Sequence, residues 1–333
     1  MSRIFVHGCG AVSPAGWGVP ALNAAIERGI PLPTQTLARP GWEKPLQVRP
    51  VPPPPARPVY LAHPRLRRAS TMAQHTVAAA LEALGEDTTR VQAGQLRVAV
   101  IVSMLAGCVA YTRRFYEEVM RDAATASPLI FPETVFNAPA SHLAAFLGTT
   151  AINYTLVGDE GTFLQGVALG ADWLDEGLAD GCLVTGVEEM DWIVADAVRL
   201  FRRDVNYSSG AGAIYLKKEP APVELAVVTD SFLFTQKQSR AQAVRKMRAQ
   251  LQQGSPEELL CEGDAGNAAW PDWPGARLSF KTIFGEALLA SAAWQCVAAA
   301  DAVRQEKFEA ATVSIVGANQ QAIGARIEAA ELS

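Results

Sequence analysis

Short apolar runs alternate along the chain with stretches in which apolar residues recur at helical spacing, the pattern of an α/β protein. Ile4-Phe5-Val6 predicts a strand, followed by a glycine- and proline-rich turn and a helix through residues 21–26. Residues 48–59 are proline-rich and predict an extended surface crossing without a core of its own. An alanine-rich helix over 71–84 leads to a buried-type strand over 97–102, then to helices over 111–121 and 136–147. A strand over 152–157 enters Gly158-Asp159-Glu160-Gly161, which opens a helix over 161–176, and a strand over 181–187 follows. Residues 213–216 and 223–229 read as a hairpin or as consecutive strands. Beyond them the pattern predicts a helix over 238–252, a glycine-rich stretch over 262–267, a helix over 285–304 and strands over 312–316 and 325–329. The strand beginning at 223 opens a second strand–helix series, so two α/β halves in tandem are expected, 1–220 and 221–333. Similarity between their sequences is too weak to establish a repeat.

Composition narrows the class without naming a chemistry. The 333 residues are 49% hydrophobic and 19% charged with a net charge of −5, enough for one large core or two closely packed ones. Mild acidity without charge blocks gives no reason to expect nucleic acid. No apolar run approaches the roughly 18 residues of a membrane span. Arg3 leads straight into Ile4 without a signal-type apolar stretch, so a cytoplasmic protein is expected. Cys9, Cys108, Cys182, Cys261 and Cys296 are odd in number and scattered, which suits buried free thiols better than disulfides or zinc ligands. Gly8-Cys9-Gly10 and Gly210-Ala211-Gly212 lack the full spacing of phosphate loops and read as turns.

Five stretches, in order, carry a resemblance. His7-Gly8-Cys9-Gly10-Ala11-Val12-Ser13-Pro14 resembles the opening "G-x-G-x-[VI]-[ST]-P" of the β-ketoacyl-acyl carrier protein synthases. Ser127-Pro128-Leu129-Ile130-Phe131-Pro132, with Asn137 and Gly148, resembles their pre-nucleophile segment. Gly177-Leu178-Ala179-Asp180 through Gly186-Val187-Glu188 is similar to the "G-x-A-D…G-x-x-E" beyond the nucleophile helix. Gly210-Ala211-Gly212-Ala213 and Ser279-Phe280-Lys281-Thr282-Ile283-Phe284-Gly285 resemble the "E-G-A-G-A" and "K-x-x-x-G-H" turns. The resemblance implies a thiolase-like five-layered αβαβα fold of two similar halves.

It also implies positions for a catalytic triad. Condensing enzymes of that family use a cysteine at a helix N-terminus, where free N–H groups and the helix dipole favour the thiolate, and two histidines on the thioester oxygen. Carried over, the cysteine position is Glu160, the first histidine is Glu262 of Glu262-Gly263-Asp264, the second is Glu286, and the motif lysine is kept as Lys281. No cysteine lies between Cys108 and Cys182, and the four histidines (His7, His63, His75, His142) all lie in the first half. Condensation by this chain is therefore not expected. The terminal gate motif "G-F-G-G-x-N" has its nearest counterpart in Gly317-Ala318-Asn319-Gln320-Gln321, which lacks the aromatic residue.

Three uses of the glutamates stay open on the sequence: Glu160 capping its helix and pairing with Lys281 or another cationic side chain, a repurposed acid–base site in which mutual repulsion raises one pKa, or a divalent-cation site. No cofactor or metal is expected. The resemblance extends to chain-length-factor subunits, which replace the nucleophile and pair with an active ketosynthase bearing an intact Cys-His-His triad, with acyl carrier protein as the further partner. It places Phe115, Ile130, Phe131 and Thr134 at the tunnel and dimer interface. The compact length, and a trimmed look to residues 191–206, point within this group to polyene-type pathways. An independent enzyme and a carrier-protein scaffold are the alternatives.

Overall fold

In the computed structural model, residues 2–251, 254–263 and 269–331 are described. Two series of five strands form most of the main sheet. The first comprises Phe5–Ser13 (β1), Val98–Met104 (β2), Asn153–Val157 (β3), Gly181–Glu188 (β4) and Gly210–Lys217 (β5). The second comprises Val223–Val228 (β6), Leu259–Glu262 (β7), Ala276–Ser279 (β8), Ala310–Val316 (β9) and Gln321–Ala329 (β10). The first sheet runs β3-β2-β4-β5-β1, with β2 parallel to β3 and β4 and the remaining pairs antiparallel. The second runs β8-β7-β9-β10-β6 with the same directions at every step. The two join where β1 meets β6, antiparallel, at Phe5 and Glu224.

Six helices complete the layers: Thr71–Leu84 (α1), Val109–Arg121 (α2), Ala138–Leu147 (α3), Thr162–Asp175 (α4), Arg240–Gln250 (α5) and Leu288–Arg304 (α6). α1 and α3 pack on the first sheet, α5 on the second, and α4 and α6 contact both sheets, giving the order αβαβα. α6 is buried at every position from Leu288 to Ala300, apolar there but for Ser291 and Gln295, as suits a helix between two sheets. Its Trp294 indole N–H donates to the carbonyls of Val12 and Ala211, tying the helix to β1 and β5.

Several expectations need correction. β1 does not turn after Val6 but runs on through His7–Ser13. Gly8 and Gly10 are there because α1 lies against the strand: a Cβ would come within 1.8 Å of the Ala83 carbonyl oxygen and 1.9 Å of that of Ala79. Gly210-Ala211-Gly212 likewise lies within β5 and pairs with β1. β5 and β6 are consecutive but not a hairpin, since β5 pairs with β1 and β4 while β6 pairs with β10 and β1. The crossing at 48–59 begins in a short strand, Leu46–Arg49, with Val48 and Arg49 buried. The helix expected over 285–304 begins only at Leu288, because the backbone of Glu286 is drawn into hydrogen bonds with Asn206 and Ser208, and a separate short helix, Phe280–Phe284, precedes it. Residues 191–206 hold a helix, Trp192–Phe201. The helix over 238–252 is observed as α5, with residue 252 outside the described residues, as are 264–267 of the glycine-rich stretch. All five cysteines are buried and free.

Candidate functional site

Strand–helix junctions bring the carried-over positions together. β3 ends at Val157, and Gly158-Asp159-Glu160-Gly161 turns the chain into α4. Glu262 is the last residue of β7, Lys281 sits in the short helix after β8, and Glu286 precedes α6. Since β3 and β8 hold equivalent places in the two sheets, α4 and α6 enter the middle layer from equivalent points. Glu160, Glu262 and Lys281 line one cavity of about 30 Å³. That is room for one or two water molecules.

The charges inside are matched closely. Lys281 Nζ donates to Glu160 Oε1 at 3.1 Å and lies 2.7 Å from Glu286 Oε2. The other Glu160 oxygen accepts the Ala318 N–H at 3.0 Å, and the other Glu286 oxygen accepts the Leu288 N–H at 3.0 Å. Glu262 pairs with Arg277 at 3.1 Å. The helix N-cap is Gly161, and Glu160 makes no side-chain capping bond, so of the capping-and-pairing arrangement the pairing is what forms.

Burial would raise the Glu160 carboxyl, but the Lys281 charge and the N–H donors outweigh it and hold it below its ordinary value. For Glu286 burial prevails, aided by the Glu160 charge and opposed by Lys281, and its pKa is raised. Burial would lower Lys281, yet the Glu286 and Glu160 carboxylates carry it well above its ordinary value. The ammonium lies between Glu160 and Glu286, where a cation bridging them would have to sit. Among the described residues no group of three or more His, Cys, Asp or Glu is arranged to hold a metal ion.

The segment 317–321 is latched to the Asp159-Glu160 turn beside this pocket by bonds that sequence reading did not anticipate. Asp159 Oδ2 accepts the Gln320 N–H at 3.1 Å, and its Oδ1 accepts from Gln321 Nε2 at 3.1 Å and from the Gly161 N–H at 3.2 Å. Gln320 Oε1 accepts the Asp159 N–H at 2.8 Å. Arg240 donates to the carbonyls of Ala318 and Val316 at 3.1 and 3.2 Å. Approach is so close that a Cβ at residue 317 would come within 1.9 Å of Asp159 Oδ2, which accounts for Gly317.

Two more carboxyls are buried behind α2. Glu188 accepts the N–H groups of Leu105 and Ala106 at 2.6 and 3.3 Å, and Glu189 accepts that of Ala110 at 2.7 Å. Burial, against those donors, pushes Glu188 up to about 8 and Glu189 up to about 7.

The residues expected at the tunnel and dimer interface lie together beside α2. Phe115 and Phe131 pack with ring centroids 5.5 Å apart, and Thr112 Oγ1 donates to the Thr134 carbonyl at 3.3 Å. Phe131 is exposed, Phe115 and Thr134 half-buried, and Ile130 is buried within the chain. α2 has no fully buried residue, and Tyr116, Met120, Leu129 and Phe131 expose apolar surface around it. Among the described residues no helix is long and apolar enough to cross a membrane.

No protein-family model and no curated protein matches the sequence. Among solved structures, the ishigamide ketosynthase/chain length factor matches with a TM-score of 0.79 at 17% identity, over 98% of this chain and 99% of that one. A structure of the ketosynthase ApeO in complex with its chain length factor ApeC, from Xenorhabdus doucetiae, matches at 0.78 and 14% identity, over 99% and 98%. A β-ketoacyl synthase from Burkholderia phymatum matches at 0.78 and 14%, over 99% and 100%. The chain has the thiolase-like fold of ketosynthases and chain length factors.

Proposed function

We propose that this chain is a non-condensing, chain-length-factor-like subunit that heterodimerises with an active ketosynthase and helps to shape its acyl tunnel. The observation that carries the proposal is the ion-paired site: Lys281 lies between Glu160 and Glu286, two of the positions carried over from the Cys-His-His triad, and residues 317–321 are latched to Asp159 and Glu160. Glu160, Glu262 and Glu286 are read as the retired Cys-His-His positions. A carboxylate held by an ammonium and a backbone N–H offers neither a nucleophile for acyl transfer nor a free base. The second half is taken to begin at residue 221, ahead of β6.

The apolar surface around α2 supports the pairing role. An exposed cluster of Tyr116, Met120, Leu129 and Phe131 on one flank is what a partner subunit would cover. Phe131, packed on Phe115, is the residue we assign to limiting acyl length by volume, with Thr134 and Ile130 supporting it. The partner needs an intact Cys-His-His triad and receives its acyl chains on acyl carrier protein. The setting is the synthesis of a polyene, polyketide or fatty-acid-like chain, of which we favour the polyene type. No cofactor is required, and a cytoplasmic location is consistent with this role.

Purification alone and with a triad-bearing ketosynthase tests the proposal. The expected result is a stable heterodimer and no acyl turnover by the isolated chain. Turnover by the isolated chain that Glu160→Gln abolishes would instead make it an independent enzyme.

A further inference from the structure

A second cavity, of about 260 Å³, adjoins Lys281 and is bordered by Arg49, Asp204, Asn206 and Thr282. A third, of about 220 Å³, shares Val205 and Asn206 with it and is bordered by Arg199, Arg203, Leu46 and Tyr207. Most charges along this furrow are already matched. Lys281 has its two glutamates, Asp204 is paired with Arg202, and Arg199 lies 3.5 Å from Asp196. Arg49 is different. Only 8% of its surface is exposed, and its Nε donates to the Leu32 carbonyl at 2.7 Å.

Among the described residues no carboxylate pairs with Arg49, and its two Nη nitrogens are neither hydrogen-bonded nor fully buried, so they open to the cavity. Burial lowers its pKa with no carboxylate raising it. A buried guanidinium without a counter-charge is costly, and its planar fork of donors fits oxyanions. Arg203, exposed on the adjoining cavity, also has no ion pair among the described residues. Arg49 borders the larger cavity and Arg203 the smaller, the two cavities meet at Val205 and Asn206, and Leu46 and Tyr207 wall the smaller one.

We propose that this furrow binds a small organic phosphate, with the phosphate between Arg49 and Arg203 and its organic part against Leu46, Val205 and Tyr207. Two unmatched positive charges suit a dianionic phosphate monoester better than a single carboxylate, and the inference does not depend on the pairing role proposed above. Binding of glycerol 3-phosphate, inorganic phosphate and acetate to the full chain, followed by calorimetry at low salt, tests it. Saturable binding is expected in the order glycerol 3-phosphate, inorganic phosphate, acetate. Arg203→Ala, at an exposed position, should weaken glycerol 3-phosphate about tenfold. Arg49→Leu should abolish binding and Arg49→Lys should retain part of it, with thermal melts checking that each variant is folded. No saturable phosphate binding by the unaltered chain overturns the proposal. So does binding unchanged in both Arg203→Ala and Arg49→Lys, while acetate binding as tightly as glycerol 3-phosphate overturns the phosphate assignment.

Discussion

With Lys281 Nζ 3.1 Å from Glu160 and 2.7 Å from Glu286, removing the ammonium leaves two buried carboxylates facing each other. Breaking one side of a buried ion pair typically costs about 3–5 kcal/mol. Lys281→Met should lose stability of that order at pH 7 in urea unfolding. The deficit should shrink toward pH 5, where the stranded carboxyls, their folded pKa values now raised, can take up protons. Adding Glu160→Gln should recover part of the loss. Glu188 gives a separate pH signature. Its pKa is raised from 4.5 to about 8, so the folded state holds more protons than the unfolded one between those values, and stability falls as pH rises until about 8. His75, lowered from 6.5 to about 4 by burial, tilts stability the opposite way below 6.5. Glu189, raised from 4.5 to about 7, adds to the decline below that value, so the cleanest window is pH 7–8, where unfolding free energy should decline and where Glu188→Gln should remove most of the decline.

At the level of elements, the latch on 317–321 depends on Asp159 more than on any other side chain, since it accepts from Gly161, Gln320 and Gln321. Asp159→Ala should speed amide hydrogen exchange at Ala318 and Gln320 while leaving exchange in α6 unchanged. The packing of α1 on β1 gives a second test. Gly10→Ala must push a methyl group against the Ala79 carbonyl, and overpacking of this kind costs roughly 1–3 kcal/mol. These two features also mark where sequence reading succeeds and stops. α1 was legible to the residue, because alanine-rich helical spacing over 71–84 is a local signal. Gly8 and Gly10 read as a turn because their reason is a neighbouring helix some 70 residues away, which no local pattern records. The Glu160–Lys281 pairing could be anticipated from ordered motifs. The Asp159 latch could not, because its partners lie about 160 residues further along the chain and are ordinary glutamines. The late start of α6 is similar: the helical spacing runs from 285, and the bridge from Glu286 to Asn206 and Ser208, distant in sequence, holds the chain out of helix until Leu288.

Across the whole molecule, the duplication is plain in the strand order, β3-β2-β4-β5-β1 against β8-β7-β9-β10-β6, and nearly invisible in the residues. Sheet topology depends on which positions are apolar and where helices pack, and many sequences satisfy both, so the halves can diverge while the layers stay. The surface around α2 is apolar and open: an amphipathic helix without one fully buried residue, beside exposed Leu129 and Phe131. On the pairing role proposed above, a ketosynthase covers that flank with Phe131 toward its acyl tunnel. The most direct measurement is product length from a reconstituted triad-bearing ketosynthase, acyl carrier protein and this chain, compared for the unaltered chain, Phe131→Ala and Glu160→Gln. A retired pocket in a length-setting subunit predicts longer products with Phe131→Ala and the same product distribution with Glu160→Gln. Product loss with Glu160→Gln in an intact heterodimer, and no change of length with Phe131→Ala, would contradict it.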